Sequence, residues 1–156
     1  MTVSARASKA MLILAAWSLP ASGLAQNTLG DVIDAGGTLL TSDEFRAEVV
    51  QRLIRGDTGI GVGIVIVFTS NGQIHGISSS SRFQGYGLGT GATIDGEWRI
   101  DDAGRICSTM RVDNARNKGT VMPARCQYWF KLGESYFLSD SDSDRRVKVL
   151  MRTPLP

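Results

Sequence analysis

Gly63-Ile64-Val65-Ile66-Val67-Phe68-Thr69-Ser70-Asn71-Gly72-Gln73-Ile74-His75-Gly76-Ile77-Ser78 is the stretch that decides the fold. Gly63 to Thr69 is an almost unbroken run of Ile, Val and Phe, the mark of a buried strand. Asn71-Gly72 follows, the dipeptide that most readily supplies the positive φ values of a tight hairpin turn. Ile74 to Ser80 then returns with alternation, Ile74 and Ile77 being apolar with His75 and serines between. Two strands and a tight turn predict an antiparallel hairpin at the centre of the chain.

Downstream the pattern repeats. Ser78 to Gly91 is rich in Ser and Gly and reads as a loop, and Ala92 to Ile100 resumes extended character around Trp98. Asp101-Asp102-Ala103-Gly104 is a turn. Ile106 to Val112 is a strand in which Ile106, Ser108, Met110 and Val112 share one face. Asp113 to Pro123 is a polar loop. Arg125 to Leu132 is an aromatic strand, turned at Gly133-Glu134 into Tyr136 to Leu138. A polar turn over Ser139 to Asp144 leads to a last strand at Val147 to Met151, and Pro154 and Pro156 stop it.

Upstream, Thr41-Ser42-Asp43-Glu44 opens a helix with capping-box spacing. Phe45, Val49, Val50, Leu53 and Ile54 form an apolar stripe at helical spacing, and Gly56 ends it. The mixed charges of Arg46, Glu48 and Arg52 favour packing against an apolar surface over membrane binding. Gln26 to Leu40, with Gly30, Gly36 and Gly37, reads as a flexible lead-in. Residues 1–25 carry Arg6 and Lys9, a short apolar run from Met11 to Trp17, and a small-residue stretch ending Gly23-Leu24-Ala25. That order defines a secretory signal peptide cleaved after Ala25. The apolar run falls short of the about 20 residues a membrane-spanning helix needs.

The fold expectation is therefore mainly β: an N-terminal amphipathic helix, then a six- or seven-stranded antiparallel meander forming a curved sheet or small barrel over residues 41–153. The strands are too short and polar for an outer-membrane barrel. The chain has 17 Lys+Arg and 15 Asp+Glu. Removal of Arg6 and Lys9 leaves the remainder neutral, without the basic stripe that tracks phosphates, so nucleic acid is not an expected partner. Cys107 and Cys126 are the two cysteines. On an exported chain they read as one disulfide, and if the strands carrying them pair as a long hairpin they face each other.

Gly96-Glu97-Trp98, Gly104-Arg105-Ile106-Cys107, Cys126-Gln127-Tyr128-Trp129, and then Gly133 and Tyr136, together with Val67-Phe68-Thr69-Ser70-Asn71-Gly72, make a pattern over roughly residues 40 to 150. It resembles small exported proteobacterial proteins of uncharacterised function with G-x-W, G-x-[IL]-C and C-x-x-[WFY] elements. The resemblance implies a short helix before the strands and an extracytoplasmic compartment, and it brings no catalytic residue.

Several constellations invite a chemical reading. His75 is the sole histidine, and a hydrolase triad could be built from it and a serine of Ser78 to Ser81, although the G-x-S-x-G elbow is missing. Asp140, Asp142 and Asp144 have the spacing that opens a calcium loop, but Arg145 stands where that loop needs Gly and Met151 where it needs Glu. Gly85 to Gly91 alternates glycines and precedes a strand, which is no nucleotide cradle. Among the aromatics, Trp129, Tyr86 and Tyr136 are candidates for an outward binding surface. No paired catalytic groups, metal set or cofactor motif emerges. The leading functional expectation is a non-enzymatic exported domain that binds an envelope or extracellular protein. The alternatives are a small barrel holding an apolar ligand and a hydrolase using His75. If Phe68, Trp98 and Phe130 all point inward they fill a small barrel and remove the ligand reading.

Overall fold

The computed structural model describes residues 27–58, 63–78, 91–113 and 120–156. In chain order its elements are α1 (Leu29–Asp34), β1 (Thr38–Leu39), α2 (Ser42–Glu48), β2 (Leu53–Asp57), β3 (Gly63–Phe68), β4 (Gln73–Ser78), β5 (Thr93–Ile100), β6 (Ile106–Asp113), β7 (Thr120–Val121), β8 (Arg125–Leu132), β9 (Ser135–Ser139) and β10 (Leu150–Pro154). β3 and β4 form the hairpin the sequence predicts, paired from Ile64↔Ser78 to Phe68↔Ile74, and Gly72 takes the positive φ of 85° at its turn. From β2 to β6 each strand pairs antiparallel with the next, and β8, β9 and β10 continue the meander. β6 also pairs with β8, and β10 returns to β2. Those two pairings close a ring of eight strands, and a closed ring has no edge to protect. The short β1 and β7 add to β8 and β6 on either side of the β6–β8 seam.

Period-two alternation sends one side chain of each pair into the barrel. Ile64, Ile66 and Phe68 are buried on β3, with Ile74 on β4, Ile94 on β5 and Trp129 on β8. The opposite face of β5 carries Asp95, Glu97 and Arg99, all exposed. No helix among the described residues is long and apolar enough to cross a membrane. α2 closes one end of the ring, next to the β3–β4 turn. Phe45 inserts from it among Phe68, Trp98 and Trp129, ring centroids 5.6, 5.4 and 5.1 Å away, all in edge-to-face contact. Trp98 Nε1 donates to the Thr69 carbonyl at 2.9 Å, so its polar edge is satisfied inside the plug.

Four expectations are corrected. The six or seven strands become ten among the described residues, because β1, β2 and β7 lie in segments read as lead-in, helix and loop. The segment 26–40 is no flexible lead-in over its described part. Thr28 and Asp31 form a capping box that starts α1, and Leu29 and Val32 pack on the outward Phe130 and Phe137. The α2 helix stops at Glu48 rather than Gly56. Gln51, at φ 69°, turns the chain, and Leu53 and Ile54 become strand. The last strand is Leu150–Pro154 rather than Val147–Met151, and this change places Arg152 inside it.

Both capping boxes hold carboxylates below their ordinary values. The Thr28 hydroxyl lowers Asp31, and the Thr41 backbone N–H, then its hydroxyl, lowers Glu44. A carboxyl that titrates lower in the folded than in the unfolded chain stabilises the fold above its unfolded value, and that contribution is lost as pH falls through the folded value. Urea midpoints of the native protein should therefore hold steady from neutrality down to the ordinary values near 4.5 and 3.8, then fall. The pair Asp31→Asn and Glu44→Gln should start lower and fall less; an unchanged slope below pH 4 refutes the capping role.

Candidate functional site

At the end of the barrel opposite α2 the interior is not filled. A cavity of about 80 Å³ is lined by residues of β3, β4, β5, β6, β8, β9 and β10, with Thr58 just past the end of β2. Its walls are apolar side chains that alternation turns inward, among them Ile64, Ile94, Met110, Val112, Leu138 and Leu150, and Trp129 forms its floor toward the aromatic plug. One water needs about 10–15 Å³ on this measure, so the space holds several small groups.

Ser78, Ser108, Gln127, Arg125, Thr58 and Arg152 add polar atoms to this lining. The Ser78 hydroxyl accepts from the Ala92 N–H at 3.2 Å. Gln127 donates to Asp140 at 2.8 Å, and Arg125 reaches the same carboxylate at 3.3 Å. Arg152 differs. It is 5% exposed. Its Nη1 donates to the carbonyls of Asp57 at 2.6 Å and Met151 at 3.1 Å. Its Nε has no partner, and neither has Thr58 Oγ1; these are the two orphaned buried side-chain atoms among the described residues. Burial pulls the Arg152 guanidinium well below its ordinary value, to about 10, against the pull of the Asp57 charge. The group stays a cation at neutral pH and carries a penalty of roughly 3 kcal/mol on its charged form. Gly56 is its cross-strand partner on β2. A methyl group at Gly56 would overlap Cδ and Nη1 of Arg152, so the glycine is what makes room for the guanidinium.

The residues singled out from sequence fall in different places. Trp129 and Tyr136 are 4% and 2% exposed and face inward, so the outward aromatic surface is corrected. Trp129 instead lines the cavity, and Tyr136 donates its hydroxyl to the Glu48 carbonyl at 3.3 Å. Tyr86 lies outside the described residues, as do Ser79 to Ser81 and residues 1–25. Phe68 and Trp98 point inward, but Phe130 packs outside against α1, and this is why room remains. His75 projects outward and pairs with Asp95, Nδ1 to Oδ1 at 2.8 Å. Ser78, three strand positions further on and therefore on the other face, points inward, so these two do not meet as nucleophile and base. Asp140, Asp142 and Asp144 do not converge: Asp140 holds Arg125 and Gln127, and Asp144 holds Arg146. The donor cluster Asp101, Cys107 and Cys126 is likewise not a metal set, because both sulfurs are consumed in the disulfide.

Cys107 and Cys126 are direct cross-strand partners on β6 and β8, Cα atoms 3.9 Å apart, joined as expected. Such a bond is what an oxidising, non-cytoplasmic compartment yields. Fold and site together define a small disulfide-bonded antiparallel β-barrel with a partly apolar interior cavity. No family model, curated protein or solved structure matches the chain.

Proposed function

We propose that this chain is an exported, non-enzymatic binding protein that holds a small apolar molecule inside its barrel. The observation that carries the reading is the unfilled inward face at the end away from α2, bounded by Ile64, Ile94, Met110 and Leu150. An eight-stranded ring is the size at which an interior either fills with side chains or holds one small ligand. Pockets that take small molecules are mostly apolar with a few placed polar groups, and this one has that make-up. The signal-like residues 1–25, the resemblance to small exported proteins and the disulfide together support a periplasmic or secreted location.

The test is a titration of the purified protein with toluene, followed by amide NMR shifts. Shifts should concentrate on Ile94, Met110 and Trp129, and Met110→Trp, which fills the space, should abolish them. Shifts confined to outward residues sink the reading. A second reading, a surface that docks an envelope protein, is favoured by outward Leu53, Ile77 and Met151, each about half exposed. Leu53→Asp with Ile77→Asp should then abolish capture of that protein from envelope extract and leave the toluene shifts intact.

A further inference from the structure

The cavity carries more than apolar surface. A buried guanidinium is costly to desolvate, and buried charges in proteins are ordinarily paired. Among the described residues Arg152 makes no ion pair; its hydrogen-bond partners are two backbone carbonyls, both held by the one nitrogen Nη1. Those two bonds fix the plane of the guanidinium and leave the Nε side orphaned, although the residue is 5% exposed and lines the cavity. Thr58 Oγ1, the other orphaned atom, lines the same cavity. The seat for the guanidinium depends on Gly56, where any side chain would collide with it. Arg152 and Thr58, each with one orphaned polar atom, therefore line the same apolar-walled space.

We propose that the cavity binds a small amphipathic carboxylate, with the carboxylate at the Arg152 guanidinium and the Thr58 side chain and the apolar body among Ile64, Ile94 and Trp129. The proposal rests on the interior-binding reading and names its ligand class. The planar donor fork of Arg matches the two oxygens of a carboxylate, and such charge-assisted bonds are about twice as strong as neutral ones. A hydroxyl donor beside it completes the coordination of an acid head group and has nothing to offer a cationic one. A neutral alcohol would satisfy Thr58 and leave the buried charge unmatched.

The experiment compares sodium octanoate with 1-octanol, which have equal chains and different heads, on the purified protein by calorimetry and amide NMR. Octanoate should bind at least about tenfold more tightly, the ratio expected from one charge-assisted contact, and should move the Arg152 Nε–H resonance. Arg152→Met should fold with unchanged or raised thermal stability, lose the octanoate preference and retain octanol. Thr58→Val should weaken octanoate several-fold. Equal binding of the two ligands, with the Nε–H resonance unmoved, overturns the carboxylate inference and leaves the interior-binding reading standing. An octanoate preference that survives in Arg152→Met also overturns it, by placing the anion elsewhere. Binding of neither ligand overturns the inference and the interior-binding reading together. The Nε–H resonance is read in the unaltered protein, so the outcome does not depend on the variants folding.

Discussion

Phe45→Ala should cost about 3–5 kcal/mol of folding stability, the range for removing a fully packed aromatic ring. Phe45 is 1% exposed and touches three other rings edge to face. It is the buried residue of α2 itself, so its loss unfastens the helix from the barrel end as well as opening a void. Thermal unfolding should drop by roughly 10–15 °C for a chain of this size. Phe45→Leu, which keeps most of the apolar volume, should lose clearly less. The void lies against Phe68 and Trp129, which also line the interior cavity. Surviving folded Phe45→Ala should therefore accept bulkier apolar probes than the unaltered protein. A stability loss below about 1 kcal/mol would show that α2 does not plug the barrel.

The hairpin was legible because its signals are local: β-branched residues for the strand and Asn71-Gly72 for the turn. The start of α2 was legible for the same reason, since Thr41 and Glu44 carry the reciprocal bonds they predict. Its end was not. Phe45, Val49 and Ile54 are buried as the apolar stripe predicted, but Leu53 of the same stripe is half exposed and Ile54 reaches the interior from a strand. Periodicity reports burial, and only the turn at Gln51 tells which element supplies it. Thr28 and Asp31 carried a second capping signal that the glycines of the same segment masked. For the site the failure was one of face. Trp129 and Tyr128 alternate visibly, yet which side is interior depends on α1 covering Phe130 and on closure of β10 against β2, both non-local. Arg152 was missed altogether because a strand read as ending at Met151 leaves it outside. The usable signal was Leu150-x-Arg152, a charge on the apolar face of a terminal strand.

The Cys107–Cys126 bond sits where the ring closes. β6 and β8 pair over only three positions, Ile106↔Gln127, Cys107↔Cys126 and Ser108↔Arg125, and the disulfide is the middle one. The chain then leaves the seam through β7 and returns, a separation of 19 residues. Closing a loop of that length limits the unfolded chain by about 3 kcal/mol in the entropy account, and native disulfides of small exported domains cost about 2–5 kcal/mol to remove. The expected loss for Cys107→Ser with Cys126→Ser lies in that range. It should come with faster amide exchange at Ile106 and Ser108, because so short a pairing has little else to hold it. Asp101 Oδ2 lies 3.7 Å from Cys107 Sγ, its charge held by Arg105. A carboxylate there disfavours an attacking thiolate, so the bond should exchange slowly with added thiols. Thiol labelling of the native protein, denatured without reductant, should find no free thiol, and labelling after reduction should find two. Two free thiols before reduction would remove the bond. Native-like exchange at the seam in the double serine variant would instead leave the bond in place and deny it any part in closing the barrel.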